Sequence, residues 1–356
     1  MKKISILITL SFLTLANLLG CSTDNPIQTD QRENGVGENN NENDNNEIDE
    51  DSSKIEYSPI YFKYDEGAQE TVNVYVHVYD SLYAMFRVVH EVNSKKFKNL
   101  WRIKRSYMNV LEEGKMVEKY PILTAGENEF VWYADRDGVV DATGGFHGNE
   151  RIDIDPNYGS IEFFADNKML DLSDVIPLTA VDSFHYIQLS TMHQTGTGGL
   201  VGSSTYVPVS GNPLECYHEK KTVFDKGGYV TYNKLEWADN NTTVLRCYFG
   251  LICVTPEISK EGYSEDGSHV IFNDDGGMEL VTEGSKIVML NKDLNLKVTC
   301  DSHLNKPEGY TTTTMIWDRN VYHKYYNRVG GGGVTIKTKK GDIWKAVASI
   351  HFENLK

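Results

Sequence analysis

From residue 55 onward the sequence predicts an all-β domain, an antiparallel β-sandwich or jelly roll. Three observations predict it. The apolar runs are of strand length, Tyr, Thr and Val are abundant, and Gly, Asn and Asp cluster between the runs. The runs, in order, are IYFKY, TVNVYVHVYD, EFVWYA, FHYIQLSTMHQ, TVLRCYFGLICV, KIVML and KAVASIHFE. The intervening DRDG, DNN, NDDGG and GGGG are turn chemistry. Many short strands with frequent turns are the pattern of a sandwich. Helical possibilities are confined to short segments near residues 92–102 and 166–175. No repeat of fixed length is visible, and no Pro-rich break divides the segment, so 55–356 reads as one domain.

The residues before it have another character. Residues 1–20, MKKISILITLSFLTLANLLG, have the two lysines and short apolar run of a secretory leader. Leu18-Leu19-Gly20-Cys21 resembles a bacterial lipobox, which implies that Cys21 is acylated and becomes the mature N-terminus. Lipid chains hold a domain on a membrane without spanning it, and no later run reaches the roughly 20 apolar residues of a transmembrane helix. Residues 21–54 carry ten acids, two bases and no aromatic residue after the cysteine. Such a segment cannot bury enough surface to offset its ordering entropy, so it reads as a disordered tether. The acidic, Asn-rich tract next to the cysteine resembles surface lipoproteins of the Bacteroides type. That resemblance implies an outer-membrane address, lipid-anchored and facing outward.

Charge divides by region. The whole chain carries a formal −16, and acids still exceed bases by about ten once leader and tether are set aside. This opposes a general attraction to nucleic acid. Two segments depart from it: KKFKNLWRIKR, with six bases and no acid, and residues 319–345, where Arg319, Lys324, Arg328, Lys337, Lys339, Lys340 and Lys345 face Asp342 alone. Folded onto one cleft, they would focus positive potential on an acidic protein. An acidic polysaccharide is the expected partner, and a monomer the expected state. Cys216, Cys247, Cys253 and Cys300 are expected as buried free thiols. Cys247 and Cys253, six apart on one run, should share a face. No CxxC or His-x-x-x-His spacing supports a zinc site. No cofactor or metal is expected, a divalent cation such as calcium being left open.

The densest chemistry is VYHKYYNRVGGGG. As a strand it sends Tyr322, Lys324, Tyr326 and Arg328 to one face, and His323, Tyr325 and Asn327 to the other. Lys and Arg are almost never fully buried unless paired, so the first set reads as the floor of an open groove, edged by a mobile glycine loop. In DSFHYIQLSTMHQTGTGG, His185 reads as a core histidine, whereas His193 and Gln194 lie at a strand end facing a ligand. His218-Glu219 reads as ordinary charged surface. GGFHGNERIDID places His147, Asn149 and Glu150 on a Gly-hinged turn, where binding residues tend to collect.

This assembly resembles the jelly-roll polysaccharide lyases of the alginate-lyase-like type. Tyr322, Lys324 and Tyr326 approximate their Tyr-x-Lys strand with its further Tyr. Asn149 with His147, or Gln194 with His193, approximate their amide and histidine. An Arg-Glu-Leu-Arg-like strand and a Gln-Ile-His stretch are missing. The resemblance implies β-elimination on a uronic-acid polysaccharide. In that chemistry an amide or cation neutralises the carboxylate, a base removes the adjacent C5 proton, and an acid protonates the leaving oxygen, each transfer contributing about 10² to 10⁴-fold. His147 or His193 would be base, Tyr322 or Tyr326 acid, and Asn149, Gln194, Lys324 and Arg328 would hold substrate. Competing readings are hydrolysis by two carboxylates such as Glu150 and Asp153, a non-catalytic glycan-binding lipoprotein, and an adhesin.

Overall fold

The computed structural model describes residues 57–124, 130–136, 138–145, 147–194, 213–273, 277–282, 284–319 and 321–355. The leader, Cys21 and the tether lie outside the described residues. Within them the chain is all-β: twenty-five strands and one 3-10 turn, Ser94–Lys96. Of the two segments with helical possibilities, 92–102 holds that 3-10 turn followed by the strand Lys98–Ile103, and 166–175 holds the strand Lys168–Met169.

Two antiparallel ladders organise the strands. The first runs Ile176–Val181, Ile60–Asp65, Thr71–Tyr79, Leu82–Asn93, Ser106–Glu112, Lys115–Leu123, Thr242–Val254, Tyr322–Gly330, Thr312–Arg319 and Met278–Thr282. The strand Val131–Arg136 shares the Thr242–Val254 edge with Lys115–Leu123. The second ladder runs Lys168–Met169, Ser160–Ala165, Phe184–His193, Leu214–Asp225, Gly228–Trp237, Ile343–Asn354, Leu296–Lys306, Lys286–Asn291, Glu261–Ser264 and His269–Ile271. Glu150–Arg151 stitches the ladders, antiparallel to Phe184–His193 and parallel to Lys98–Ile103.

Alternation along each strand gives each ladder one inward face. Phe86 from the first ladder meets Phe224, Tyr229 and Phe352 of the second at ring separations of 5.8, 5.1 and 6.2 Å. A second cluster packs Trp132 and Phe249 on Trp237 and Trp344. Burying one such side chain stabilises by about 1.5–3 kcal/mol, and an aromatic pair adds about 0.5–1.5 kcal/mol.

Alternation also corrects two expectations. Phe184, Tyr186, Gln188 and Ser190 face inward, so His185 lies on the outer side, stacked on Phe164 at 4.7 Å and not in the core. Cys247 and Cys253 fall in different clusters because a bulge between Tyr248 and Gly250 shifts the register by one residue. Glycine is required at that bulge, since a Cβ on Gly250 would lie 2.2 Å from Ser302 Oγ. All four cysteines of the domain are buried free thiols.

Candidate functional site

The GGFHGNE turn divides its residues between two surroundings. It lies against the 3-10 turn: Asn149 N–H donates to the Lys96 carbonyl at 3.1 Å, and a Cβ on Gly148 would meet that oxygen at 2.4 Å. Gly148 (φ +102°) and Asn149 (φ +68°) take left-handed backbone, which suits Gly and Asn. His147 remains partly buried with its ring edge-on to Tyr133 at 5.9 Å. Burial, then the charges of Lys96, Lys98 and Arg102, push its pKa down to about 4, so the imidazole is neutral at pH 7. Asn149 is fully buried, its amide donating to the Ala142 carbonyl at 3.4 Å. It holds the turn and cannot meet a ligand from there.

Glu150 turns inward into a polar seam that separates the two aromatic clusters. Its Oε1 accepts from Ser190 Oγ at 2.7 Å and faces His218 Nδ1 at 3.0 Å; its Oε2 accepts from Gly145 N–H at 3.3 Å. His218 Nε2 lies 3.0 Å from Asn233 Oδ1. Glu150 and His218 are each 2 % exposed. Burial alone would raise the Glu150 pKa, but His218, Lys220 and the Ser190 hydrogen bond outweigh it and hold it at about 2. The seam borders a cavity of about 40 Å³. His218 is therefore interior, not charged surface. The signal for this was present in LECYHEKKTVFD, where Cys216 and Phe224 share its alternation. Glu150 has no approach from solvent, and Asp153, its proposed hydrolytic partner, is instead paired with Arg151 at 2.6 Å.

His193 and Gln194 are also buried, at 6 % and 4 % exposure, contrary to a rim position. His193 Nε2 lies 2.9 Å from Thr191 Oγ1, and its ring sits edge-on to Phe97 at 5.6 Å. Gln194 Nε2 donates to the Arg136 carbonyl at 3.3 Å. Close by, Glu215 and Asp141 are buried together. Burial, then the Asp141 charge, raises the Glu215 pKa to about 7, with Arg136 opposing.

The outer face of the first ladder gathers rings and cations. Cross-strand partners alternate in kind: Tyr133 opposite Arg246, Tyr248 opposite Arg328, Trp317 opposite Lys324, and Tyr322 opposite Arg319. Tyr133, Tyr248, Tyr326 and Trp317 follow one another at ring separations of 6.1, 5.2 and 6.3 Å. Arg246 lies 5.5 Å over Tyr133, Lys324 4.8 Å over Tyr326, and Arg319 4.9 Å over Trp317. Among the described residues, Arg246, Arg319 and Arg328 have no ion-pair partner, and the buried Nε atoms of Arg246 and Arg328 have no hydrogen-bond partner. The bulge at Gly250 places Tyr248, Leu251 and Cys253 on this one face.

The predicted face of Tyr322, Lys324, Tyr326 and Arg328 thus exists, but it is not an open floor. Tyr322, Lys324 and Tyr326 are 6 %, 2 % and 6 % exposed. The rings of Tyr322 and Tyr326 pack around the buried Lys324 ammonium at 5.8 and 4.8 Å and contribute to holding it there. Burial, then neighbouring Cys253 and the tyrosines, holds the Tyr326 phenol protonated. The glycines after it form a tight turn, Gly331 and Val334 exchanging backbone hydrogen bonds at 3.2 and 3.0 Å. His147 joins the row through Tyr133, so two rings separate it from Tyr326. Sequence reasoning missed Tyr133, Arg246, Tyr248 and Trp317, since no local pattern places four strands side by side.

Two of the six bases in KKFKNLWRIKR are spent on structure. Lys98 and Arg102, 1 % and 3 % exposed, both pair with Glu91. The other face of the Tyr322–Gly330 strand is interior. There His323 lies 2.7 Å from Ser259 Oγ and 3.2 Å from Asp318, under the ring of Phe272 at 4.0 Å. All three polar residues are buried, so this Ser, His and Asp set ties strands together without reaching solvent. Among the described residues no group of three or more His, Cys, Asp or Glu is placed to hold a metal ion.

No protein-family model matches the chain, and no curated protein matches it by sequence. Among solved structures, the chain is similar to the Slr1438 protein from Synechocystis sp. PCC 6803 at 11% identity and a TM-score of 0.33, over 79% of this chain and 96% of that one. It is also similar to heparinase III at 10% identity and a TM-score of 0.28, over 78% of this chain and 35% of that one. The chain therefore spans about a third of the heparinase III chain. Both likenesses are distant.

Proposed function

We propose that the outer face of the first ladder takes an acidic polysaccharide and that the protein cleaves it by β-elimination. One observation carries the reading: four cross-strand pairs of ring and cation stand side by side, three of their four cations without an ion-pair partner among the described residues. Rings offer stacking surfaces to sugar faces, and guanidinium forks match carboxylates in geometry. Arg246 and Arg328, each with a buried Nε donor lacking a described hydrogen-bond partner, are the groups to neutralise a uronate. Neutralisation must come first, because proton removal beside a free carboxylate would gather two negative charges. Tyr326 is protonated and would serve as acid toward the leaving oxygen once a bound sugar displaces the rings of Tyr248 and Trp317 that leave it 6 % exposed. His147, neutral at pH 7, suits the role of base only for a sugar bound near Tyr133.

The separation of His147 from Tyr326 favours a second reading, in which the same face binds the polysaccharide without cleaving it. A panel of uronic-acid polysaccharides followed by ultraviolet absorbance of unsaturated uronate distinguishes the two. Cleavage abolished by Tyr326→Phe, with binding retained, supports elimination. Binding with no unsaturated product across the panel removes the catalytic half. In that case Tyr→Ala changes should weaken binding by about 1 kcal/mol where Tyr→Phe does not. On either reading the lipid anchor at Cys21 is proposed to hold this face at the cell exterior. A Cys21→Ser protein that stayed with membranes would contradict the anchor.

A further inference from the structure

A second concave site opens at the edge of the sandwich, far in character from the cationic face. It is a pocket of about 330 Å³, within the range of about 300–1,000 Å³ usual for small-molecule sites. Its floor is where the core reaches the surface: Trp101, packed edge-on to Phe163 at 5.1 Å, with Leu170 beside them. His90 stacks on Trp101 at 5.1 Å with its ring 5° from parallel. Both its nitrogens are engaged, Nδ1 by Glu70 and Nε2 by Asn99 Oδ1 at 2.7 Å, so the aromatic wall is fixed in orientation. The mouth is acidic. Glu162 and Asp171 line it, and among the described residues neither has an ion-pair partner.

We propose that this pocket binds a small amphipathic cation, a single-ring or branched aliphatic amine whose apolar part lies against His90, Leu170 and Met169 and whose ammonium faces Glu162 and Asp171. Size sets the apolar part, and charge complementarity sets the head group. A uronate is excluded by the same carboxylates, so the site is independent of the proposed polysaccharide face. Met169, 67 % exposed at the rim, supplies an adaptable apolar wall. The probe is phenethylammonium, measured on the full chain by ligand-observed saturation-transfer NMR and calorimetry. Saturable binding is expected, weakened about tenfold in Glu162→Gln/Asp171→Asn and unchanged in Arg246→Ala. Phenylacetate, equal in ring and opposite in charge, should not bind. Both carboxylates are exposed, so the double variant should keep the wild-type melting temperature. Absence of saturable phenethylammonium binding, equal binding of phenylacetate, or an unweakened double variant would each overturn the proposal.

Discussion

In the seam between the sheets, Glu150, His218, Ser190 and Asn233 satisfy one another, and the two ionisable groups are 2 % exposed. On the outer face, Arg246, Arg319 and Arg328 lie against rings and find no carboxylate among the described residues. Both regions are rich in polar chemistry, and both have strongly shifted pKa values. Satisfaction separates them. A buried constellation whose members answer each other specifies the fold, whereas donors left without a described partner on a partly exposed face specify a ligand. One short turn contributes to both, sending His147 outward and Glu150 inward.

The largest effect that distinguishes the two regions is on stability. His218→Ala leaves Glu150 without its main partner in the interior, where removing one member of a buried pair costs about 3–5 kcal/mol. Urea unfolding measures it. A loss under about 1 kcal/mol would show that the seam is not structural. Binding of a polysaccharide should persist in whatever fraction stays folded.

A second effect is in the pH dependence, where two buried carboxylates act in opposite directions. The Glu150 pKa lies at about 2 against an ordinary 4.5, so its stabilisation is present above pH 4.5 and is lost as pH falls toward 2. The Glu215 pKa is raised to about 7, so it costs stability as pH rises from 4.5 through 7. His147, whose pKa of about 4 lies below its ordinary 6.5, acts against Glu215 by raising stability over nearly the same range, so the two largely offset each other between pH 4.5 and 7. Glu215→Gln should therefore remove the opposing contribution and make stability rise from pH 4.5 toward neutrality more than it does in the wild type. An unchanged pH profile in this variant would contradict the buried Asp141–Glu215 repulsion.

Smaller still are changes on the outer face, where function should move and stability should not. Arg246→Ala and Arg328→Ala should each weaken acidic-polysaccharide binding about tenfold, or about 1.4 kcal/mol. Their urea midpoints should remain near wild type. Asp153→Asn, which removes a pair in which Asp153 is 43% exposed, should change stability by less than about 1 kcal/mol.

The all-β sandwich was legible because alternation and turn residues are local signals, and the Tyr322–Arg328 face followed from period two alone. Register defeated the rest. One bulge at Gly250 moved Cys253 to the face opposite Cys247, and the lone glycine inside TVLRCYFGLICV was its only local signal. His193, Gln194 and Asn149 carry the polar groups of a binding rim, yet His193 bonds Thr191 on its own strand, Asn149 the Ala142 carbonyl before its turn, and Gln194 the Arg136 carbonyl. His218 was misplaced because Glu219, Lys220 and Lys221 beside it look like surface, although alternation sets it with Cys216 and Phe224. The charge of Lys324 predicts exposure, whereas the side chain is buried against two tyrosine rings.

The most direct test is equilibrium binding of polygalacturonate and of uncharged dextran to three proteins: wild type, Arg246→Ala/Arg328→Ala, and His218→Ala under conditions where it remains folded. Wild type and His218→Ala should bind polygalacturonate with an affinity that falls as salt rises, and neither should bind dextran comparably. The double arginine variant should lose nearly all of that binding while unfolding at the wild-type urea midpoint. Retained polygalacturonate binding in the double arginine variant, or equal affinity for dextran in the wild type, would contradict recognition of an acidic polysaccharide by the cation-and-ring face.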